Sequence, residues 1–594
     1  MKLDVEKQKW ILLVISFLCG YFFIEQLCDI GMLQKSESMF IITVIGCLVV
    51  SGCYLYWRTY QWNLWVLLFS FVVTCVGIIG FLLRTSGGDG VFEYYTWNIF
   101  ACGVTGFSAV SYLVTRIYEK LFTQKEETVD YGLFKKYYWS YFVILFVAWI
   151  PGFLAYYPGI FAYDVHIQIT MVKNAEYTTH HPLIHTLMLK FFYLLGEKLG
   201  SYTTGVAIYT IVQMVICALV LAYVLWYLYT KRVKRILRIA ILLFFAIWPI
   251  NSLLAISATK DTLFSVFVLL FAVLVLRFLE EEKFRQSIPK CCMLAASGIL
   301  VFLFRNNAKY ALAVWAVVFI GFLFINKLEK YGMRMGIAVV IAIFAIGQLS
   351  NMVMIKAVDA KPGSINEMMS MPISQIARCY AFCSSEMTPE MVAEIDALGI
   401  STGDYVLSTV DIAKGRIQIE GQEKHFLNVW WKLFKQFSGV SIDASLYINQ
   451  GNIFLDDVSH AYVYGTNPEE RKGYLITSVA KGYGVEHYSL FPWLENIFED
   501  LFTLNTCQEI PFLATLFAPA FYFWMLAVCV LHALLSKNWK VVTVSMLLLA
   551  YYGTILLGPC SLVRYMYPLI VSAPVLLAVE LQHPCKIKKK NVEQ

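Results

Sequence analysis

The sequence predicts an all-α polytopic membrane protein, and composition, long apolar runs and the placement of Lys and Arg carry that prediction. Apolar residue types make up 59% of the 594 residues and charged types only 15%, with a mean hydropathy of +0.64. Soluble domains are typically about 45–50% apolar and about 25% charged. The excess apolar surface must therefore face lipid, which excludes a soluble globular enzyme, a disordered chain and a nucleic-acid-binding protein.

Long apolar runs give the predicted membrane helices, because a helix needs about 20 mainly apolar residues to cross a bilayer. They lie near 10–28, 38–57, 61–83, 94–115, 137–157, 203–230, 236–257, 262–279, 291–304, 311–326, 335–357, 511–535, 540–558 and 565–582. These runs predict about 14 transmembrane helices. The first run lacks a small-residue cleavage site, so we expect it to be retained rather than removed as a signal peptide.

The apolar stretch 183–198 is shorter and contains His185 and Lys190, and the basic residues decide its placement. If 183–198 crossed the membrane, the strongly basic run 231–238 would lie outside, against the positive-inside rule. We therefore predict a helix that lies at the outer interface or re-enters. Both termini, including the basic C-terminal tail, are then cytoplasmic, in a membrane that we expect to be a bacterial cell membrane.

Four regions follow from these assignments. Residues 1–136 form an N-terminal four-helix membrane region, and residues 137–357 form a membrane core with an outer loop at 158–202. Residues 358–510 have the polarity of a soluble protein and predict an extracytoplasmic domain, either α or α+β. Residues 511–594 contain the last transmembrane helices and the basic tail. Within the polar domain, 424–437 predicts an amphipathic helix that rests either on the membrane surface or on the domain's own core.

Polar and charged residues at the predicted outer ends of the helices are the candidate functional residues, because such groups beside lipid are costly. A carboxylate there can accept a proton from a hydroxyl, and Lys or Arg can bind a lipid phosphate. Aromatic rings beside them can stack on sugars. The candidates are Tyr163, Asp164 and His166; His181 and His185; Lys260 and Asp261; Arg305, Asn306 and Asn307; and Arg564 and Tyr565.

Structural explanations compete with these roles. Asp164 and Asp261 could cap helices, and Arg305 and Arg564 could anchor helix ends at lipid headgroups. His181 and His185 have the i, i+4 spacing of two metal ligands on one helix face, which leaves a metal site open, although no acid between them supports it. A disulfide among Cys379, Cys383, Cys507 and Cys560 is also left open, because their spacing does not require one.

The order of these motifs resembles the GT-C glycosyltransferases, which take a sugar from a polyprenyl-phosphate donor on the outer side of the membrane. The matching pieces are Asp164 in AYDVHIQ, His181 in THHPLIH, Lys260-Asp261 in ATKD and Arg564-Tyr565 in VRYMYP, with further likeness in 369–382 and 440–454. The resemblance covers roughly 137–582 and does not reach the first four helices. Many members carry two adjacent acids where this chain has Asp164-Val165-His166, so dependence on a divalent cation is left open.

The resemblance implies roles for the candidates. Asp164 would be the catalytic base or orient the acceptor, and Asp261 would support Asp164 or the acceptor. Whether His166, the third catalytic candidate, takes the place of a second acid is left open. Lys260, Arg305 and Arg564 would hold the donor phosphate. The substrate-binding candidates are Tyr163, His181, His185, Asn306, Asn307 and Tyr565.

The resulting expectation is a membrane glycosyltransferase. It would transfer a sugar from a polyprenyl-phosphate donor to a glycan, lipid or protein acceptor of the cell envelope, with inversion at the anomeric carbon. A transporter or flippase of lipid-linked saccharides is the main alternative, and a surface-glycan polymerase or ligase is another. The transferase is favoured over the transporter because the sequence has no internal repeat and its charges lie at the membrane rim rather than at mid-membrane.

Overall fold

The computed structural model describes residues 63–90, 106–107, 110–115, 117, 134–161, 164–455, 482–503 and 511–583. Within these ranges the regular structure is helical, and paired extended backbone is limited to isolated bridges such as Tyr157 with Tyr488. The chain is thus an all-α membrane protein. The predicted spans 10–28 and 38–57, most of 94–115, and also Tyr163, Cys507 and the basic tail lie outside the described residues.

Apolar helices form the membrane part. They are α1 (Leu64–Thr85), α2 (Phe134–Ala155), α3 (Val165–Asn174), α4 (Leu183–Lys198), α5 (Tyr202–Thr230), α6 (Arg235–Ile247), α7 (Pro249–Ile256), α8 (Lys260–Glu280), α9 (Glu282–Arg285), α10 (Ile288–Phe304), α11 (Ala308–Ile325) and α12 (Lys330–Val358). After a polar unit, α19 (Pro492–Thr503), α20 (Pro511–Phe517), α21 (Pro519–Ser536), α22 (Trp539–Ile555) and α23 (Val563–Glu580) follow.

Seven helices in the described ranges are long and apolar enough to cross a membrane, or eight if the bent pair α6–α7 is one span. Those seven are Tyr137–Ala155 within α2, and α5, α8, α11, α12, α21 and α23. Shorter apolar helices at Leu64–Gly80, Ile288–Phe304 and Trp539–Ile555 coincide with further predicted spans. The described residues therefore establish a multi-pass helical protein without reaching the predicted count of fourteen.

Proline interrupts two of the predicted spans. The run 236–257 breaks at Trp248, and Pro249 begins α7 at 52° to α6. The run 511–535 divides in the same way at Ala518, with Pro519 opening α21. Proline lacks the N–H that would continue the first helix, but its fixed φ suits the first turn of a new one.

Helix α4 corresponds to the stretch 183–198 and has 16 residues. Among the described helices, α4 is not one of those that are long and apolar enough to cross a membrane. Its short length and polar residues predict this. It packs tightly on α5, where a Cβ added at Gly205 would lie 2.4 Å from the backbone oxygen of Phe192 and 2.9 Å from the Cα of Gly196. The absence of a side chain at Gly205 therefore sets the distance between α4 and α5.

The polar unit between α12 and α19 has a hydrophobic core of its own. Its helices are α13 (Ser370–Cys383), α14 (Pro389–Ala397), α15 (Asp411–Arg416), α16 (Glu423–Gln436), α17 (Ser438–Ile448) and α18 (Gln450–Ile453), with short 3₁₀ turns at Ile365–Glu367, Ser384–Glu386 and Thr402–Asp404. No strand occurs in the part of 358–510 that the structure describes, which favours the α over the α+β alternative. Cys379 and Cys560 are free thiols, so no disulfide joins these two residues.

Helix α16 is the predicted amphipathic stretch. Phe426, Val429 and Leu433 are buried in the core of the polar unit, whereas Leu427 and Trp431 remain exposed. Burial of an apolar stripe on a neighbouring core is what the hydrophobic periodicity of a surface helix produces. The helix therefore packs on its own unit, the second of the two interpretations that the sequence allowed.

Hydrogen bonds join the polar unit to the loop between α22 and α23. The Val410 N–H donates to the Pro559 carbonyl over 3.1 Å, and the Asn449 side chain donates to the Leu556 carbonyl over 2.8 Å. The Ser561 hydroxyl donates to the Ile448 carbonyl over 2.8 Å. These bonds hold the segment that leads directly into Arg564.

Candidate functional site

Five charged side chains from four separate chain segments meet at one end of the helix bundle. Asp164 immediately precedes α3, Lys260 and Asp261 open α8, Arg305 follows α10, and Arg564 is the second residue of α23. We call these five residues the charged cluster. They meet because α10 ends, and α8 and α23 begin, at the same end of the bundle, which places sequence-distant helix termini side by side.

Asp164 accepts from two cations through a single oxygen. Its Oδ2 lies 2.5 Å from Lys260 Nζ and 3.0 Å from Arg564 Nη1. The other oxygen, Oδ1, receives no hydrogen bond from any described residue, and 23% of the side chain is exposed. Asp164 stands at the N-cap of α3 but does not use its side chain as a cap. The helix-capping explanation for Asp164 is therefore wrong, and its carboxylate serves the charged cluster.

Asp261 is the second acid and is fully buried. Arg305 Nη1 donates to its Oδ1, and Arg564 Nη1 lies 3.5 Å from its Oδ2. Thr259 at the N-cap of α8 is 3.3 Å from the same Oδ2. The two guanidinium groups compensate the buried charge, which would otherwise destabilise the fold strongly. Arg564 thus joins Asp164 to Asp261.

The charges of the cluster do not cancel, because three cations face two carboxylates and leave one positive charge. Burial alone would raise the pKa of Asp164, but the charges of Arg564 and Lys260 outweigh burial and hold that pKa well below its usual 3.8. Asp164 is therefore ionised at neutral pH. An excess cation at the end of lipid-spanning helices favours an anionic ligand.

His181 adds a hydrogen-bond donor with no acceptor. Lys260 Nζ lies 3.2 Å from His181 Nδ1, and an ammonium can only donate, so Nδ1 accepts and the ring hydrogen is on Nε2. The side chain is 3% exposed, and Nε2 has no partner among the described residues. Burial, reinforced by the Lys260 charge, lowers the pKa of His181 to about 2 and keeps the ring neutral. A buried unpaired N–H costs about 1–3 kcal/mol, which a ligand oxygen would recover.

Aromatic rings pack against the guanidinium groups of Arg305 and Arg564. The Arg305 guanidinium lies 4.7 Å from the Tyr565 ring centre and 5.6 Å from that of Tyr551, and the Arg564 guanidinium lies 4.9 Å from Tyr565. Such cation–π contacts fix the planes of the guanidinium groups. Tyr565 thus contributes a ring shared by both arginines.

His185, a predicted substrate-binding residue, is fully buried in a separate hydrogen-bonded chain. Its Nε2 lies 2.9 Å from the Tyr209 hydroxyl, which donates to Gln213 Oε1 over 3.0 Å, and its Nδ1 lies 3.0 Å from the Gln168 side chain. Burial lowers the pKa of His185 to about 3, so the ring is neutral. Both ring nitrogens contact side chains in the interior of the protein, so His185 has a structural role rather than a substrate-binding one.

The other candidates surround the charged cluster without joining its ion pairs. Asn307 accepts from Arg305 Nε over 3.1 Å and donates to Thr554 over 2.8 Å, so it orients Arg305. Asn306 donates to the Thr179 and His180 carbonyls and ties down the loop before His181. His166 lies half-buried on α3, and its side chain makes no hydrogen bond within the described parts of the chain. Tyr163 falls outside the described residues.

Several residues that support the charged cluster were not among the candidates predicted from the sequence. Tyr551 and Thr554 lie inside the predicted span 540–558, where an aromatic or hydroxyl side chain gives no signal of function. Tyr209 and Gln213 likewise lie within 203–230, although a glutamine inside an apolar run is a polar group that needs a partner. Thr259 also had a usable signal, because a threonine directly before a helix is a typical N-cap.

The described residues contain no candidate metal site. In the part of the chain that the structure describes, no three His, Cys, Asp or Glu side chains come together in a way that could hold a metal ion. His181 Nδ1 faces Lys260, whereas the two ring nitrogens of His185 face Tyr209 and Gln168, so the described contacts of the two rings do not share a partner.

Fold and site together define an integral membrane protein with a charged, partly exposed cluster at the ends of its helices. The chain belongs to DUF6020, a family of unknown function, whose model matches residues 172–593. No curated protein and no solved structure matches the chain. Four of the five cluster residues lie inside the matched segment, whereas Asp164 precedes it.

Proposed function

We propose that the protein is a membrane glycosyltransferase of the GT-C type, which transfers a sugar from a polyprenyl-phosphate donor to an acceptor of the cell envelope. The observation that carries the proposal is the charged cluster, in which one partly exposed carboxylate and three cations lie at the end of lipid-spanning helices. A lipid donor places its phosphate at this depth, while its chain stays among the apolar helices. Group transfer from a lipid phosphate needs both kinds of charge.

Lys260, Arg564 and Arg305 would bind the donor phosphate and stabilise it as the leaving group. The acceptor hydroxyl attacks the anomeric carbon while the bond from that carbon to the phosphate oxygen breaks. The bonding electrons leave on the phosphate, and the hydroxyl proton passes to Asp164. One displacement of this kind inverts the anomeric carbon. His181 would donate its Nε2 hydrogen to a substrate oxygen, which supplies the missing acceptor for that buried group.

The topology of the proposal is a site on the outer face of a bacterial cell membrane, with both termini in the cytoplasm. It is supported by Lys and Arg at the opposite end of the bundle, including Lys231, Arg277 and Arg285, which pair with Glu280, Glu281 and Glu329. Basic residues concentrate on the cytoplasmic side. The polar unit would then be extracytoplasmic and cover the acceptor side, and the count of about 14 helices belongs to the same proposal.

The test is sugar transfer by the purified protein in lipid nanodiscs, with a panel of labelled polyprenyl-phosphate sugars and an envelope glycan extract as acceptor. We expect a labelled glycan product from the wild-type protein. Lys260→Gln removes a charge that acts on the leaving group and should lower the rate by about 10²–10³-fold. Lys432→Gln is the matched control, because Lys432 is 53% exposed and pairs with Glu394 on the polar unit.

Two outcomes contradict the proposal. Equal loss of transfer in Lys260→Gln and Lys432→Gln, with both variants folded, would mean that the charged cluster has no special part in the reaction. Movement of an intact labelled donor across the bilayer, with no covalent product for any sugar, would favour the transporter or flippase alternative.

A further inference from the structure

We propose that the donor phosphate binds by displacing the Asp164 carboxylate from Lys260 and Arg564, so that donor binding itself releases the base for the reaction. This inference rests on the proposed transferase function and adds an order of events to it. It follows from how the cations of the charged cluster are occupied.

Two of the three cations proposed to bind the phosphate are engaged by the same carboxylate oxygen. Lys260 Nζ and Arg564 Nη1 lie 2.5 Å and 3.0 Å from Asp164 Oδ2. A phosphate placed on these two groups while the carboxylate stays between them would bring two anions into contact in a partly buried site, where repulsion is weakly screened. The phosphate and the carboxylate therefore compete for one position.

Of the two acids, only Asp164 is free to leave. Its side chain is 23% exposed and does not cap its own helix, and the described hydrogen bonds to its carboxylate come from Lys260 and Arg564. Asp261, by contrast, is fully buried and held by Arg305, Arg564 and Thr259. Asp261 keeps the arginines in place, and Asp164 is the exchangeable partner.

Displacement also resolves a chemical difficulty of the base. A carboxylate whose pKa is held far below 3.8 by two cations is ionised but has little affinity for a proton. Once the phosphate neutralises Lys260 and Arg564, the carboxylate loses that stabilisation and its pKa rises. Asp164 thus becomes a competent base only when the donor is bound, which couples proton abstraction to the presence of a leaving group.

The experiment measures binding rather than transfer. Farnesyl phosphate is titrated into detergent-solubilised full-length protein by calorimetry, with inorganic phosphate and uncharged farnesol as comparison ligands. We expect Asp164→Asn to bind farnesyl phosphate about 10-fold more tightly than the wild-type protein. The substitution removes the negative charge that competes with the phosphate for the two partly buried cations, Lys260 and Arg564. Asp164→Ala should behave alike, and Glu394→Gln, which removes a distant paired carboxylate, should not change the affinity.

Tighter binding by both Asp164 variants supports displacement, and equal or weaker binding by both, with unchanged thermal unfolding, overturns it. The two proposals fail separately. If the variants bind more tightly but the wild-type protein transfers no sugar, the transferase proposal is contradicted and the displacement proposal is supported. If the wild-type protein transfers sugar but the variants bind farnesyl phosphate with unchanged affinity, the displacement proposal is contradicted and the transferase proposal is supported. Tighter binding of inorganic phosphate alone would assign the exchange to a free anion and overturn its link to a lipid donor.

Discussion

Gly205→Ala should disable the site from a distance, because it separates α4 from α5. The added Cβ would lie 2.4 Å from the Phe192 carbonyl oxygen and 2.9 Å from the Gly196 Cα. Ordinary carbon–oxygen contacts begin near 3.3 Å, so the two helices must move apart by about 1 Å. Overpacking of this size costs about 1–3 kcal/mol.

The movement of α4 reaches the charged cluster, because α4 begins at Leu183, two residues after His181. His181 contacts Lys260 through Nδ1, and a displacement of about 1 Å in a positioning group can lower a rate by about 10²-fold. We therefore expect Gly205→Ala to lower both the thermal unfolding midpoint in detergent and sugar transfer in nanodiscs. Gly321→Ala is the control, since a Cβ there meets nothing within 4 Å. Wild-type stability and activity in Gly205→Ala would refute this reasoning.

Three further predictions concern the same region. Arg564→Lys keeps the charge but loses the planar group that joins Asp164 to Asp261, so transfer should fall by about 100-fold; equal activity would count against a role for this geometry. Because the pKa of Asp164 is lowered, its ion pairs stabilise the fold fully above pH 3.8 and lose that effect as the pH falls through the folded-state pKa. The difference in unfolding free energy between wild type and Asp164→Asn should thus stay constant from about pH 5 to 8 and shrink only under stronger acid; a change within that range would contradict it. Tyr209→Phe removes the hydroxyl that contacts His185 Nε2 and donates to the Gln213 oxygen, and should destabilise the protein by about 1–3 kcal/mol in denaturant titrations, with a smaller loss contradicting the hydrogen-bond assignment.

The membrane helices were predictable because a run of about 20 apolar residues is long enough to cross a bilayer, whether lipid or neighbouring helices cover it. The run 262–279 predicted α8 to within two residues at its start and one at its end. Breaks within runs were harder to predict, since Pro249 ends one helix and starts another without lowering the apolar content. The stretch 424–437 shows the same limit, because its periodicity predicts an amphipathic helix but not whether lipid or protein covers the apolar face.

The residues of the charged cluster were predictable one by one, but their pairing was not. Lys260 and Asp261 are adjacent in sequence, yet Lys260 pairs with Asp164 and Asp261 with Arg305. Pairing depends on which helix ends meet, and no local pattern encodes that. His185 illustrates the converse, because its spacing from His181 predicts a shared site whereas burial assigns it to Tyr209 and Gln168.

The most direct test of the account is a cryo-electron microscopy structure of the full-length protein with a polyprenyl phosphonate sugar that cannot transfer its sugar. We expect phosphonate oxygens about 3 Å from Lys260 Nζ and the Arg564 guanidinium, with the Asp164 carboxylate moved off both groups and toward the anomeric carbon. A phosphonate bound elsewhere, or Asp164 still held by both cations beside a bound phosphonate, would contradict it.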